Sequence, residues 1–313
     1  MSTAMRPMRV AAVEEPAPRV RTLRLEPLDG GALAPFAPGS HVELRCGERV
    51  NAYSLTSDPR DATHYAVSVL RVAEGRGGSR WLHDALAPGQ EVEVGAPRSA
   101  FAPPAAARHH LLVGAGIGLT PFLSYVAHFE RRGISYELHH VHRAGDGPHA
   151  AALGVPAPRL HLHRGRGAFA AALPRLLDEA AIGTHLSVCG PPAMIDEALG
   201  AARERGWPEG RLHSERFVGV EAPPGTPFRV RLARSGAELP VGADETLLEV
   251  LERAGTGLPS LCRQGVCGEC RAGVLAGEPQ HHDLYLSDEE RASGTAIMPC
   301  VSRCASPVLE LDL

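Results

Sequence analysis

The chain has 313 residues, of which 44% are hydrophobic and 22% charged, and its formal net charge is −4. This length suits two or three globular domains, and the slightly negative charge argues against a nucleic-acid-binding surface. The amino terminus lacks the apolar core of a secretory signal, and three glycines and a proline interrupt the longest apolar run, residues 111–126, so we expect a cytoplasmic protein that does not span a membrane.

Residues 1–102 have the pattern of a small antiparallel β-barrel. Short alternating runs at 20–25, 41–44 and 65–70 are separated by turns rich in Gly and Pro, as is typical of such barrels. Gly77, Gly78 and Ser79 precede a predicted helix at 81–86. Amides and a hydroxyl at a helix start suit one phosphate, which favours FMN over FAD.

Residues 103–220 alternate between strands and helices. Strands are predicted at 111–113, 136–141 and 186–189, and helices at 121–131, near 169–180 and at 192–205. This alternation predicts a doubly wound parallel sheet.

The first of these strands leads into a glycine turn, Gly114-x-Gly116-x-Gly118, after which Thr120 and Pro121 open a helix. Thr is a good N-cap and Pro suits the first helical turn. Free amides at such a helix start predict a pyrophosphate site for a dinucleotide. The spacing is not the G-x-G-x-x-G of the usual fingerprint, so a simple packing turn remains the alternative.

Residues 221–228 have the composition of a linker, and residues 229–313 contain a cysteine cluster. Cys262, Cys267 and Cys270 are spaced C-x4-C-x2-C, and Cys300 follows 30 residues after Cys270. This is the plant-type spacing for a 2Fe–2S cluster. A structural zinc site is the alternative, although only one C-x2-C pair is present. Cys304 is a fifth candidate ligand.

Several motifs resemble known families. The H-x-D-x-x-L-S-x-x-E pattern at residues 281–290 resembles plant-type ferredoxin domains, which are β-grasp folds. The glycine turn, the C-G-P-P that starts at Cys189 and the E-x-F of Glu215 and Phe217 resemble the ferredoxin–NADP reductase superfamily. With G-R-G-G-S at 75–79 and P-R-S-x-F at 97–101, the whole chain resembles the phthalate dioxygenase reductase family, which includes vanillate demethylase reductases.

The resemblance implies roles for individual residues. Cys189 would face the hydride path together with Glu215, Phe217 would cover the flavin, and Tyr53 and Ser54 would pack on and hydrogen-bond its ring. The predicted FMN contacts are Asn51, Ala52, Tyr53, Ser54, Leu55, Ala66, Val67, Ser68, Gly77, Gly78, Ser79 and Phe217. The predicted nicotinamide contacts are Gly114, Gly116, Gly118, Thr120, Pro121, Arg143, Cys189, Gly190 and Pro191.

One position departs from the family pattern. Asn51 stands where the superfamily has the Arg of R-x-Y-S, which helps to hold the flavin phosphate. Arg49, Arg76 or Arg80 would then supply the missing charge. No marker for a 2′-phosphate follows residues 140–143, so NADH is favoured over NADPH.

The three modules together predict a relay. Electrons would pass from NADH to FMN, then to the 2Fe–2S cluster and finally, as the resemblance implies, to a separate Rieske non-haem iron oxygenase. Residues 225–313 hold eight Arg against 13 Asp and Glu, and this acidic character would suit a basic partner. The alternatives are the same relay serving a diiron hydroxylase or a P450, and a non-catalytic redox sensor.

Overall fold

The computed structural model describes residues 5–73, 77–99, 101–143, 155–217, 219 and 222–313. The chain forms two compact units, Thr3–Phe217 and Val218–Leu313. Within the described ranges, no helix is both long enough and apolar enough to cross a membrane. The predicted division of the first unit at residue 102 falls between its two sheets and stays a prediction.

The first sheet of the first unit is antiparallel. Its strands are β1 (Arg6–Ala17), β2 (Val20–Pro27), β3 (Ser40–Cys46), β4 (Arg49–Ser54), β5 (Tyr65–Leu70), β6 (Glu91–Val94) and β7 (Arg98–Ser99), and helix α1 (Gly78–Ala85) follows β5. The order is β4-β3-β6-β1-β2-β5, with β7 on β3. Alternate residues point inward and enclose an apolar core that includes Leu23, Leu44 and Val67, which explains the alternation in the sequence.

The predicted barrel is not fully closed. The two ends of the path, β4 and β5, meet only where Leu55 forms an isolated bridge with Val67 and where the Thr56 amide donates to the Ala66 carbonyl at 2.8 Å. The sheet is therefore barrel-like, because its two ends are joined by one short contact and not by a complete ladder of hydrogen bonds.

The second sheet of this unit is parallel, as predicted. Its strands are β8 (His109–Ala115), β9 (Tyr136–His142), β10 (Leu160–Arg164), β11 (Thr184–Cys189) and β12 (Leu212–Glu215), and its helices are α2 (Thr120–Arg132), α3 (Arg166–Asp178) and α4 (Pro192–Glu204). The order is β10-β9-β8-β11-β12. The inner strand β11 is buried along its whole length and the edge strand β10 is largely exposed, which is the expected burial for a sheet covered on both faces.

This strand order creates a crevice. The chain runs outward from β8 to β9 and β10, then returns to lay β11 on the other side of β8. Ligands of such sheets bind at this switch point, beyond the carboxyl ends of the strands. The glycine turn follows β8 and the C-G-P-P segment follows β11, so both lie beside the crevice.

The two sheets of the first unit are joined by close contacts at Gly39. Its amide donates to Ser124 Oγ at 2.9 Å, and the Tyr125 hydroxyl donates to the Phe101 carbonyl at 2.8 Å. A Cβ on Gly39 would lie 1.9 Å from the Phe101 oxygen. Only glycine fits there. The two sheets also meet where β5 contacts the turn formed by residues 116–119.

The second unit contains a mixed sheet, as predicted for a β-grasp domain. Its strands are β13 (Phe228–Leu232), β14 (Glu238–Val241), β15 (Ala272–Ala276), β16 (Pro279–Gln280), β17 (Ala296–Ile297), β18 (Arg303–Cys304) and β19 (Val308–Leu311), and its helices are α5 (Leu247–Arg253) and α6 (Asp288–Ser293). The order is β14-β13-β19-β15-β17, with β13 parallel to β19, and β16 pairs separately with β18. Helix α5 packs on this sheet through Leu247, Val250 and Leu251.

The predicted linker has no regular secondary structure in its described part. Residues 222–227 form neither helix nor strand, and β13 begins at Phe228, which the prediction had assigned to the linker.

Candidate functional site

The four predicted cluster cysteines lie together in the second unit. Cys262 and Cys267 are hydrogen-bonded through their side chains, as are Cys270 and Cys300, and Cys262 also interacts electrostatically with Cys270 and Cys300. The hydrogen bond from Cys267 and those from loop amides lower the pKa of Cys262, and the same pairing raises the pKa of Cys267, so the fold favours a thiolate at Cys262. A thiolate is the form that binds iron, and the four sulfurs therefore suit a 2Fe–2S cluster.

The loop between these cysteines is wound tightly. Gly265 and Gly268 have positive φ, 70° and 80°, and Arg263 also adopts the left-handed region at 56°, which is uncommon for a residue with a side chain. The Gln264 amide points inward and donates to Cys262 Sγ at 3.3 Å. Such amides stabilise charge on the sulfurs.

The segment 281–290 supports the cluster loop from outside. A Cβ on Gly265 would lie 3.0 Å from the Cα of Asp283, and one on Gly268 would lie 2.3 Å from the Tyr285 ring. The buried carboxylate of Asp283 accepts from the amides of Tyr285 and Leu286 at 3.1 and 2.8 Å. The ferredoxin-like motif in this segment is thus a support for the loop.

Cys304 is separated from the cluster cysteines by its packing. It lies in the apolar core under α5, and its Sγ is 3.1 Å from Ser306 Oγ. Cys270 and Cys300 instead belong to a second apolar group with Leu286 and Met298. Cys300 is therefore the fourth candidate ligand, and Cys304 is a core residue.

The three glycines of the turn after β8 have different roles. A Cβ on Gly114 would lie 2.9 Å from the Leu119 Cα, and one on Gly118 would lie 2.3 Å from the Cys189 carbonyl oxygen. Gly116 has a positive φ of 54° and open space at its Cβ position. Gly118 thus lets the turn pack against the C-G-P-P segment, and Gly116 leaves a face open where a dinucleotide phosphate can approach.

The prediction that Thr120 caps a helix is wrong. Residues Gly116–Leu119 already form a 3-10 helix that continues into α2. The Thr120 hydroxyl donates to the Ile117 carbonyl at 2.9 Å and so caps no amide. Pro121 lies in the first turn of α2, as predicted.

Cys189 and Glu215 lie side by side at the end of the sheet. They are register partners on the parallel strands β11 and β12, and Cys189 is fully buried. One carboxylate oxygen of Glu215, Oε2, is buried and has no hydrogen-bond partner among the described residues. Burial raises the pKa of Glu215 to about 8, so this carboxyl group holds its proton more firmly than an exposed glutamate does.

The rest of the C-G-P-P segment packs closely against the end of β8. Gly190 packs so closely that a Cβ there would lie 2.8 Å from the Ala115 Cβ. Pro191 immediately precedes α4. The structure places Arg143 directly after β9 with an exposed side chain, and Phe217 is 37% exposed just beyond β12.

Arg216 is a residue of this region that the sequence did not single out. Its guanidinium donates to Asp196 of α4 at 2.5 Å, and its Nη1 atom is buried without a hydrogen-bond partner in the described part of the chain. No motif signals this ion pair, because its two members are 20 positions apart in sequence.

The predicted flavin residues of β4 border the start of α1. The Asn51 amide nitrogen is 3.4 Å from the Tyr53 hydroxyl and only 2.4 Å from where a Cβ would stand on Gly78. Ser54 is buried and is the register partner of His41, whose pKa burial lowers to about 4. Ala52 is exposed.

The start of α1 has the features expected of a phosphate site. Gly77 precedes the helix with a positive φ of 94°, and Ser79 Oγ accepts from the Val72 amide at 3.2 Å, which leaves its proton to donate. Arg80 Nη2 reaches back to 3.8 Å from the Cβ position of Gly77. Arg49 is exposed on β4, and Arg76 lies outside the described residues. Of the two candidates within the described residues, Arg80 therefore lies at this helix start and Arg49 does not.

Residues 55 and 66–68 can meet a flavin mainly through their backbone. The side chains of Leu55 and Val67 are fully buried in the core, and the Ser68 hydroxyl is hydrogen-bonded to Thr22 Oγ1 at 2.8 Å. The Ala66 amide donates to Ser57 Oγ at 3.2 Å.

Comparisons with known proteins agree with this arrangement. The family model described as the 2Fe-2S iron-sulfur cluster binding domain matches residues 230–305. The model of the dimethylamine monooxygenase subunit DmmA-like, N-terminal domain matches residues 95–212. The first match decides between cluster and zinc: the chain has a 2Fe–2S domain.

Full-length relatives are also found. The heme-dependent oxidative N-demethylase beta subunit of Ectopseudomonas mendocina (strain ymp) is 44% identical, and the match covers 100% of both chains. The vanillate O-demethylase oxidoreductase of a Pseudomonas sp. strain is 36% identical over 97% of this chain and 98% of that one. The solved structure of phthalate dioxygenase reductase is 32% identical, has a TM-score of 0.75 and covers 99% of this chain and 98% of its own.

Proposed function

Because the chain belongs to the phthalate dioxygenase reductase-like family, we propose that it takes electrons from NADH through FMN and its 2Fe–2S cluster to a separate Rieske oxygenase. Membership makes it an electron-transfer oxidoreductase of an oxygenase system. The observation that carries the proposal is the convergence of Cys262, Cys267, Cys270 and Cys300 in a chain that also has a dinucleotide crevice.

The cofactors supply the redox chemistry and the protein supplies their placement. When bound, NADH provides a hydride, the flavin takes two electrons and gives them up singly, and the cluster carries one at a time. In this proposal Gly116 admits the pyrophosphate, and the buried wall formed by Cys189 excludes water from the hydride path. Glu215, whose pKa is raised by burial, holds a proton at its carboxyl group beside that path.

The flavin would be held at the start of α1 and along β4. Gly77, Gly78 and Ser79 would offer amides and a hydroxyl to the phosphate, and Arg80 would add positive charge. Tyr53 and Ser54 would contact the ring.

The reduction potentials favour a Rieske acceptor. Plant-type clusters lie near about −400 mV and Rieske centres at roughly −150 to +300 mV, so transfer onward is downhill. A second candidate acceptor is a haem-dependent amine demethylase, because the relative named for such a system is 44% identical, against 36% for the vanillate reductase.

The test is an anaerobic visible spectrum of the purified protein before and after NADH is added. Flavin and cluster bands should both bleach. A flavin that bleaches while the cluster does not would contradict the relay, and an absence of steady NADH oxidation with an artificial acceptor would favour the redox sensor. Turnover with a purified Rieske oxygenase and with a haem-dependent demethylase would then separate the two acceptors.

A further inference from the structure

A group of imidazoles lies at the edge of the parallel sheet that is farthest from the crevice. His109 begins β8, Glu137 is the second residue of β9, and His161 is the second residue of the edge strand β10. The crevice lies beyond the opposite, carboxyl ends of these strands, so the group is separate from the proposed redox site.

Three side chains of this group converge on one point. His139 is the register partner of His161. The Glu137 Oε2 atom lies 3.5 Å from His139 Nε2 and 3.6 Å from His161 Nε2, and one ligand atom from each residue lies within 4.8 Å of the others. Two ligands at about 2.1 Å from a tetrahedral zinc ion are roughly 3.4 Å apart, so the two distances to Glu137 are already close to those of a metal site.

His139 supplies an independent indication of a ligand. Its side chain is only 2% exposed, yet its Nε2 atom makes no hydrogen bond of good geometry within the described chain. Buried polar atoms are rarely left in this state unless an ion or water completes them. This nitrogen points toward the Glu137 carboxylate, and a cation bound here would lie between the two groups.

A second layer of contacts orients the three side chains. His139 Nδ1 is 2.9 Å from His163 Nε2, and the other Glu137 oxygen, Oε1, is 3.6 Å from His109 Nε2. The His109 ring is held in turn by Ser135 Oγ at 2.8 Å. Metal-binding imidazoles and carboxylates usually have such supporting partners, which fix the tautomer and the ring orientation.

We propose that Glu137, His139 and His161 bind a zinc-class divalent metal ion, with His109 and His163 as positioning residues. Imidazole and carboxylate together suit Zn²⁺ and its late first-row neighbours. His161 is 46% exposed, so the fourth coordination position is open to solvent. The ion would join the edge strand β10, which has a single neighbour in the sheet, to β9.

The experiment measures zinc binding to the purified protein that carries its flavin and cluster, by equilibrium dialysis with zinc chloride and metal analysis. We expect one tightly bound zinc per chain. His161→Gln and Glu137→Gln should each weaken binding at least about tenfold, and His109→Gln about 10- to 100-fold. His64→Gln is the matched control, since His64 also pairs with a carboxylate, Asp61 at 3.2 Å, but lies just before β5 of the antiparallel sheet.

Three results would overturn the proposal. Binding that His161→Gln and Glu137→Gln leave unchanged would place the zinc elsewhere. Zinc uptake accompanied by loss of iron would assign it to the cluster cysteines. An absence of bound zinc in the wild-type protein would show that the group is only a stacked array of histidines around a carboxylate. The visible spectrum of each variant checks that flavin and cluster are retained, and His161 is exposed enough for its replacement to leave the core intact.

Discussion

Gly118→Ala should disturb both the fold and hydride transfer, and the structure sets the size of the effect. The added Cβ would lie 2.3 Å from the Cys189 carbonyl oxygen and 2.8 Å from the Gly190 amide nitrogen, whereas ordinary contacts begin at 3.4 Å. The glycine turn and the C-G-P-P segment must therefore move apart by about 1 Å. Both atoms belong to backbone, which cannot rotate out of the way.

The expected effects follow from that displacement. Overpacking of this kind costs ~1–3 kcal/mol, which corresponds to about 2–4 °C in Tm per kcal/mol for a unit of this size. A 1 Å shift at a reacting geometry costs about 10²-fold in rate. Thermal unfolding measures the first effect, and stopped-flow bleaching of the flavin by NADH measures the second.

Gly200→Ala is the matched control. Gly200 lies inside α4 with nothing within 4 Å of its Cβ position, so alanine should stabilise the protein by ~0.5–1 kcal/mol and leave the rate unchanged. If Gly118→Ala shows the Tm and the rate of the wild-type protein, the close packing of the two segments does not position the nicotinamide, and our account of the turn is wrong.

Three further predictions concern single side chains. Cys300→Ser should abolish the cluster, whereas Cys304→Ser should retain it because Cys304 lies in the apolar core. Iron content and visible absorption of the two variants measure this difference. An equal loss of iron in both variants would contradict the assignment of Cys300 as the ligand. Burial raises the pKa of Glu215 from 4.5 to about 8. The stability that the protonated carboxyl group contributes is therefore fully present below pH 4.5 and is lost as the pH rises from 4.5 through about 8. Glu215→Gln should therefore gain Tm relative to wild type between about pH 5 and about pH 8, and a constant difference would refute this. Asn51→Arg should tighten FMN binding about tenfold or more, since a charged hydrogen bond contributes ~1.5–3 kcal/mol. Asn51→Gln is the control for this substitution. An unchanged Kd of Asn51→Arg for FMN would show that Arg80 already supplies the charge.

Much of the architecture was predictable because its signals are local. Alternation along β2, β3 and β5 reflects one buried face, and the continuous apolar run at residues 111–113 of β8 reflects burial on both faces. The spacing of Cys262, Cys267 and Cys270 was informative for a similar reason, since one tight loop has to deliver all three sulfurs to one cluster.

The local rules failed where neighbouring backbone decided the outcome. Thr120 has the side chain of an N-cap, but the 3-10 turn before it already occupies the position that a cap requires. The barrel pattern does not show that β4 and β5 meet only at one bridge. Propensity describes a residue in isolation, whereas these positions depend on what the preceding turn or the facing strand does.

The three modules, the alternation of strands and helices in residues 103–220 and the four cluster cysteines were predicted from the sequence. Only the tertiary structure paired Cys189 with Glu215, separated Cys304 from Cys300 and placed Asn51 over Gly78. It also placed His161 of β10 beside Glu137 and His139 of β9. The physical reason is that spacing along a chain constrains contacts within one turn or loop, whereas contacts between strands depend on sheet order and register, which are set by burial across the whole core.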